Sequence, residues 1–221
     1  MPTYQTKALV LKKTKLGETD LIITLLDAEG IQRRAVAKGA RKPGSFLAVR
    51  LELYTLVEVQ LSQGRSLDIV TDARILETNT ACRSSIEYSA AAAAVVELVE
   101  KATSQHNAEP LLFAMTLAAL QQIGEAEGYA RSLISLACIL KLCAALGVRP
   151  DAEELAQTDE ALAKWVGMLL NVRFVDLLTY REDKYLPILH KLIGYCSKWT
   201  GEHLDIRLKS LSFMESLLAS S

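Results

Sequence analysis

The period of the hydrophobic pattern changes once along the chain, near Ser84, from about 2 residues to about 3.6 residues. Before that point, segments of strand character alternate with short turns, at residues 4–13, 21–26, 31–38, 51–61 and 67–76. After it, apolar residues recur at helical spacing. Because the strands precede the helices and do not alternate with them, the sequence predicts an α+β protein with a β-domain at 1–80 and an all-α domain at 81–221.

Five short strands with a longer third connection predict a small closed or partly closed barrel. The oligonucleotide-binding (OB) barrel is the commonest such design, and its ligands lie across strands two and three and against the loops after strands one and four. In the fourth segment the odd positions from Leu51 to Leu61 are predicted to point inward. Tyr4 and Tyr54 fit either base stacking or packing at the barrel edge.

Cations are concentrated in residues 1–50, which carry ten Lys/Arg against four Asp/Glu, whereas residues 78–221 carry thirteen against seventeen. The densest run, 33–45, holds five cations and no acid, and glycines and a proline end its strand. A strand that delivers cations into such a loop suits a polyanion, although a solvated charged loop is the alternative. The predicted DNA-binding residues of the barrel are Lys12, Lys13, Lys15, Arg33, Arg34, Lys38, Arg41, Lys42 and Arg65.

Two motifs have a specific order and spacing: Gly-Glu-Thr-Asp at 17–20 and Val-Ala-Lys-Gly-Ala-Arg-Lys at 36–42, followed by Ser45. With Ala-Leu-Val-Leu at 8–11, Gly30, and Arg-Leu-Lys-Ser-Leu-x-Phe at 207–213, they resemble the RecO recombination-mediator family. The resemblance implies a protein that binds single- and double-stranded DNA and anneals complementary strands. It also implies that, with RecR, the protein helps load the RecA recombinase onto DNA coated with single-strand-binding protein.

Helices are predicted at 86–102, 111–123, 129–146, 160–170, 172–179, 185–199 and 204–218. Arg207 and Lys209, on the polar side of the last helix, are assigned to DNA contact or, with equal weight, to surface charge. The resemblance also implies that the acidic, apolar-ended tail of single-strand-binding protein docks on the helical domain. Arg131 and Lys141 are predicted to border this site, and the residues predicted to line it are Leu133, Leu140 or Leu142. The alternative for Lys141 is simple exposure of its ammonium at the surface.

Catalytic and metal-binding patterns are weak in this sequence. The segment 39–45 has the glycine spacing of a phosphate loop, but Ser45 stands where the lysine is required. The three histidines (106, 190 and 203) are scattered, and the four cysteines contain no Cys-x-x-Cys pair. Many RecO-family members carry a four-cysteine zinc insertion, whereas residues 148–195 contain no cysteine here. We therefore expect a protein that is not an enzyme and that holds no zinc or other cofactor.

No segment has the length and apolarity of a signal peptide or a membrane span, so the sequence predicts a bacterial cytoplasmic, nucleoid-associated protein without a membrane partner. Two alternatives to a DNA-binding mediator remain. One is a helical protein-interaction scaffold whose barrel binds protein, for which any DNA binding would depend weakly on salt. The other is a nuclease or nucleotide-dependent enzyme, for which turnover would require a divalent metal.

Overall fold

The computed structural model describes residues 2–104 and 108–219. It divides into two compact units. The first comprises Met1–Thr80 and Thr103–Ala114, and the second comprises Ala81–Ala102 and Met115–Ser221. The short segment at 103–114 thus groups with the strands, while the proposed domain boundary between residues 80 and 81 stays a prediction.

The strands form a closed barrel, which confirms the OB-type prediction. They are β1 (Thr3–Leu16), β2 (Asp20–Asp27), β3 (Gln32–Ala37), β4 (Leu56–Ser62) and β5 (Asp68–Glu77). Around the barrel their order is β1-β2-β3-β5-β4, and β4 returns to pair with β1. The one parallel pair joins β3 to β5, through Ala35 opposite Asp68 and Val36 opposite Ile69. Closure gives every strand a hydrogen-bonded neighbour on both sides, although β3 and β5 pair through only two residues each.

Alternate residues of the strands fill the barrel interior, as the period of 2 requires. On β3 these residues are Ala35 and Ala37, both fully buried, and their small side chains leave space for larger residues of the neighbouring strands. The other interior positions of the strands are Ala8, Val10, Leu21, Ile23, Leu25, Val57, Val59, Leu61, Val70 and Ala73. The alternation of β3 therefore sends Arg34 and Val36 to the outer face.

The fourth strand begins at Leu56, so the prediction that it extends from residue 51 was wrong. Tyr54 has a φ of 68°, which an extended strand does not contain. Before it lies a short helix, α1 (Phe46–Arg50). Leu51 enters the barrel core directly after α1. The even spacing of apolar residues here thus comes from a helix end and a turn, not from a strand.

Helices dominate the remaining chain, and α4 is the most buried of them. The helices are α2 (Ile86–Ala102), α3 (Pro110–Glu125), α4 (Ala130–Ala145), α5 (Ala152–Ala156), α6 (Glu160–Asn171), α7 (Leu186–Leu204) and α8 (Lys209–Leu218). Short 3₁₀ helices occur at Thr80–Arg83, Phe174–Thr179 and Asp183–Tyr185. In α4 every residue from Ser132 to Leu140 is buried, because α2, α6 and α7 all pack against it. No helix in the described ranges is long and apolar enough to cross a bilayer.

The boundary between α7 and α8 differs from the predicted one. The earlier helix was predicted to end at residue 199, but α7 continues to Leu204. Asp205 then adopts a left-handed conformation with φ 54°, and α8 begins only at Lys209. A left-handed residue after the last helical residue is a common helix stop, but glycine or asparagine is its usual signal. Asp205 therefore went unrecognised in the sequence.

Candidate nucleic-acid interface

The two motifs at 17–20 and 36–42 meet at one end of the barrel. Asp20 opens β2, and its Oδ1 accepts hydrogen bonds from the Gly39 backbone N–H at 2.8 Å and from the Thr19 hydroxyl at 2.9 Å. In return, the Arg41 backbone N–H donates to the Thr19 carbonyl at 2.8 Å, and Arg41 Nη1 donates to the Gly17 carbonyl at 2.9 Å. The basic loop is therefore tied to the β1–β2 hairpin by three hydrogen bonds, and the Thr19–Asp20 bond lies within the hairpin itself.

Asp20 stays ionised among the cations of this loop. The Gly39 N–H holds the pKa of Asp20 below its ordinary value, and the Thr19 hydroxyl, Lys38 and Lys42 lower it further. Gly39 itself has a φ of 65°, which brings its N–H towards the carboxylate without the steric cost that a side chain would add. Asp20 thus positions the loop, and the cations around it outnumber its single negative charge.

The strand register brings cations from β1 and β3 to neighbouring positions. Lys12 lies opposite Thr24 on β2, and Thr24 lies opposite Arg34 on β3. Two strand spacings of about 4.8 Å therefore separate the backbones of Lys12 and Arg34. In the same way, Lys15 lies opposite Leu21, which lies opposite the residue before Lys38. We define the cationic patch as these residues and the tied loop: Lys12, Lys15, Arg34, Lys38, Arg41 and Lys42, all with exposed side chains.

Two of the predicted DNA-binding cations are instead held by carboxylates of the barrel. Arg33 Nε donates to Asp27 Oδ2 at 2.8 Å, and the Asp27 side chain is only 2% exposed. Asp27 also accepts the backbone N–H groups of Glu29 and Ile31, so it organises the β2–β3 turn. Lys13 Nζ lies 2.7 Å from Glu52 Oε1. The charges of Arg33 and Lys13 are compensated locally, and we leave both residues out of the cationic patch.

Tyr4 and Tyr54, for which base stacking and packing were both considered, make contacts within the barrel. Tyr54 is 6% exposed, so base stacking is wrong for it and packing at the barrel edge is correct. The Tyr4 hydroxyl donates to Asp68, and the Arg33 guanidinium lies 5.7 Å from the Tyr4 ring centroid. Burial raises the pKa of Tyr4 to about 12, and the Asp68 carboxylate adds to this effect. Tyr4 thus links β1 to β5 and to the Arg33–Asp27 pair.

The remaining predicted DNA-binding residues belong to other segments of the chain than the basic loop. Arg65 is exposed in the connection between β4 and β5, where the Gly64 N–H donates to Asp68 Oδ1 at 3.1 Å. Arg207 and Lys209 belong to the second unit and flank the start of α8, with exposed side chains. Their backbones serve structure, since the Arg207 carbonyl accepts Lys101 Nζ and the Lys209 N–H donates to Glu97.

The predicted border residues of the tail site have different surroundings. Arg131 lies over the Tyr88 ring, 4.7 Å from its centroid. Lys141 Nζ donates to the Leu170 carbonyl near the end of α6 at 2.9 Å and lies 5.9 Å from the Phe174 ring centroid. Burial lowers the pKa of Lys141. Its ammonium therefore binds the end of a neighbouring helix and does not simply reach solvent.

The predicted lining of the tail site was wrong. Leu133, Leu140 and Leu142 have no exposed surface, because α4 is surrounded by other helices. Arg131 instead lines a cleft of about 280 Å³ together with Arg181. Most of the apolar side chains of this cleft belong to α8, namely Met214, Leu217 and Leu218, and Ala90 of α2 adds another. The carboxylates of Glu87 and Asp183 also line the cleft. The sequence showed the apolar stripe of α8 but not its position beside Arg131.

An exposed apolar pair on α1 was also missed. Phe46 is 77% exposed and Val49 is 68% exposed. Arg50 on the same helix lies 5.7 Å from the Phe46 ring centroid and pairs with Asp72 at 2.8 Å. The available signal was a phenylalanine directly after the basic loop, but sequence alone does not distinguish an exposed ring from a core residue.

Within the described residues, no three His, Cys, Asp or Glu side chains form a group that could hold a metal ion. The four cysteines are buried, and burial raises the pKa of the Cys143 thiol to about 12. His203 stacks on Trp199 with ring centroids 3.7 Å apart. His106 lies outside the described residues.

The chain is similar to known proteins along most of its length. A family model described as "Recombination protein O N terminal" matches residues 1–79, and one described as "Recombination protein O C terminal" matches residues 83–164. The first match covers the barrel strands, and the second begins just before α2.

Curated relatives agree with both family models. A protein of Desulfitobacterium hafniense named "DNA repair protein RecO" is 34% identical over 157 residues, which are 71% of this chain and 56% of that protein. A protein of the same name from Dehalococcoides mccartyi is 26% identical over 209 residues, covering 86% of this chain and 82% of that protein. One from Roseiflexus sp. is 34% identical over 161 residues, covering 73% and 56%.

The match thus spans little more than half the length of the Desulfitobacterium and Roseiflexus relatives. The two family matches nevertheless cover more than two thirds of this chain, and they follow each other in the order of its barrel and its helices. Both motifs that tie the basic loop to the hairpin fall within the first match. On these grounds the chain belongs to the RecO family.

Proposed function

We propose that this protein acts in DNA repair as a recombination mediator and that it binds DNA through the cationic patch. The observation that carries the proposal is the attachment of the basic loop to the β1–β2 hairpin through Asp20 and Arg41. This attachment holds Lys38 and Lys42 beside the hairpin, in the region where OB barrels bind their ligands. The family name and the names of the relatives support a repair role.

The mechanism is electrostatic and does not depend on base sequence. Lysine and arginine side chains neutralise phosphates and release condensed counterions, which drives binding to single and double strands alike. When two complementary strands are held on such a surface, their mutual repulsion falls, and this favours annealing. Phosphate contacts carry no sequence information, so we expect little base preference from the cationic patch.

The partners follow from family membership and are part of the proposal. They are RecR, single-strand-binding protein and, indirectly, RecA. RecR acts together with this protein. The substrate is DNA coated with single-strand-binding protein, onto which RecA is loaded. We propose that the protein is not an enzyme, that it needs no cofactor, and that it works in the cytoplasm at the nucleoid. The alternative is a barrel that binds protein, and the salt dependence of DNA binding distinguishes the two.

The experiment replaces Arg34, Lys38, Arg41 and Lys42 together with alanine in the full chain. Affinity for a single-stranded oligonucleotide is then measured across a salt series. We expect weaker binding and a log–log salt slope reduced by roughly 0.7 for each lost phosphate contact, hence by roughly 3 in all. The loss should be similar for oligonucleotides of different sequence.

A matched control removes the same number of charges elsewhere. Lys164, Arg173, Lys184 and Lys198 are exposed and pair with nearby acids, and their joint change to alanine should leave affinity and slope nearly unchanged. If the variant of the cationic patch is folded and binds with unaltered affinity and slope, the proposed function is wrong.

We further propose that the cleft beside Arg131 receives the tail of single-strand-binding protein. Such a tail is acidic and ends in an apolar side chain, so it requires cations next to an apolar surface. Arg131 supplies the main cation, since Arg181 pairs with Glu127 at 2.6 Å, and Met214, Leu217 and Leu218 supply the apolar surface. Lys141 remains a second proposed border residue, although its ammonium already binds the Leu170 carbonyl.

Titration of a fluorescent tail peptide against the full chain tests this site. Arg131→Glu should weaken binding about tenfold or more, because it places a negative charge where the tail's acids bind. The exposed Arg173, outside the cleft, gives the control Arg173→Glu, which should bind like the wild type. Equal affinity of Arg131→Glu and the wild type would rule out the cleft without affecting the proposed role of the barrel.

A further inference from the structure

Phe46 is the most exposed of the large apolar side chains in the described parts of the chain, at 77%, and Val49 follows at 68%. Single exposed apolar residues are common at protein surfaces. Here, however, the two residues are adjacent on one helix, three positions apart. They also lie directly after the loop that carries Lys38, Arg41 and Lys42, half of the cationic patch.

The orientation of α1 explains why the pair is exposed. At about 100° per residue, Leu47 and Leu51 lie on one side of the helix, and Phe46, Val49 and Arg50 lie on the other. Leu51 is fully buried in the barrel core, and Leu47 packs against that core. These two leucines hold α1 on the barrel, and the Phe46 ring stays exposed.

One cation lies beside this ring, and the basic loop precedes it directly in the chain. The Arg50 guanidinium lies 5.7 Å from the ring centroid and is itself held by Asp72. The Ser45 N–H donates to the Lys42 carbonyl at 3.1 Å, and the Lys42 N–H donates to the Gly39 carbonyl at 3.0 Å. These turns fold the basic loop back on itself immediately before Phe46. An exposed ring that directly follows a loop of cations matches an alternation of bases and phosphates along a strand.

We propose that Phe46 is a stacking platform for an unpaired nucleobase, while Lys42 and Arg41 bind the phosphates next to it. The inference rests on the proposed DNA-binding function and adds a residue that senses strand state. Bases in a duplex are stacked on one another and offer no free face, whereas a single strand does. Phe46 therefore favours single strands over duplex, which the cationic patch alone does not.

The test compares Phe46→Ala with the wild type on three probes of equal length: a single strand, an abasic strand with the same phosphates, and a duplex. Base stacking on an aromatic residue is worth roughly 1–3 kcal/mol, so affinity for the single strand should fall about 5- to 150-fold. Binding to the abasic strand and the duplex should be unchanged, which also shows that the variant is folded.

Further variants separate stacking from apolar contact. Phe46→Trp should restore single-strand affinity, whereas Phe46→Leu, which keeps apolar surface but no aromatic face, should not. Ile86→Ala removes another exposed apolar side chain, 52% exposed in the second unit, and should have no effect.

Three outcomes would overturn the inference: an unaffected single-strand affinity in Phe46→Ala, equal losses on all three probes, or full rescue by leucine. The last outcome would indicate a protein-docking surface. None of these outcomes would contradict the proposed DNA-binding function. That function is contradicted only if the variant of the cationic patch binds DNA with normal affinity.

Discussion

Changing Gly30 to alanine should destabilise the barrel unit by about 2–5 kcal/mol, a large share of the stability of a small domain. Gly30 ends the β2–β3 turn with a φ of 78°, and its N–H donates to the Asp27 carbonyl at 2.9 Å. A Cβ at this position would lie 2.0 Å from the Glu109 carbonyl oxygen, far inside contact distance. The backbone of Glu109, which precedes α3, would have to move.

The matched control for this prediction is Gly44→Ala. Gly44 has nearly the same φ, 75°, but a Cβ there would meet no atom within 4 Å. Gly44→Ala should therefore destabilise the protein only by the cost of placing alanine in the left-handed conformation, about 1–2 kcal/mol. Thermal melts followed by circular dichroism compare the two variants, and hydrogen exchange should show faster exchange around residue 109 only in Gly30→Ala. Equal destabilisation by the two variants would show that the close approach of Glu109 has no energetic weight.

Changing Glu97 to alanine should destabilise the second unit by about 2–3 kcal/mol at neutral pH. The helix α8 begins after Leu208, which has no side-chain group to cap it. Glu97 of α2 takes this role, accepting the N–H groups of Lys209 at 3.2 Å and Ser210 at 2.9 Å and the Ser210 hydroxyl at 2.5 Å. A carboxylate at a helix N-terminus is also favoured by the helix dipole.

The contribution of Glu97 should depend on pH in a definite direction. Burial raises the pKa of Glu97, but hydrogen bonds from Lys101 and Ser210 outweigh this and lower it from 4.5 to about 2. A group whose pKa is lower in the folded state stabilises it above the unfolded pKa and loses that effect as the pH falls towards the folded pKa. The stability difference between wild type and Glu97→Ala should thus be full above about pH 5 and shrink progressively towards pH 2.

Urea unfolding followed by tryptophan fluorescence measures this effect, because Trp165 and Trp199 both lie in the second unit. Glu160→Ala is the control, since Glu160 also pairs with a lysine four residues on, but with side chains more than 70% exposed. Such a pair is worth little. A difference between Glu97→Ala and wild type that stays constant from pH 7 to pH 3 would contradict the linkage.

Local patterns in the sequence were sufficient for the fold class. Strand period, turn residues and the change of period near Ser84 are short-range properties, and each is set by the local geometry of the backbone. The same holds for the cationic run at 33–45 and for the pairing of the two motifs, whose positions along the chain are visible without coordinates. These features predicted the closed barrel, the helices after it and the family.

The tertiary structure decided which cations are available and which apolar residues are exposed. Arg33 and Arg34 are adjacent in sequence, yet the pleat turns Arg34 outward and pairs Arg33 with Asp27. The leucines of α4 and Phe46 are all strongly apolar in sequence. The α4 leucines are nevertheless buried among other helices, whereas Phe46 is exposed at the surface. Burial and ion pairing depend on contacts between residues far apart in the chain. No pattern of near neighbours encodes them, and they arise only when the elements pack.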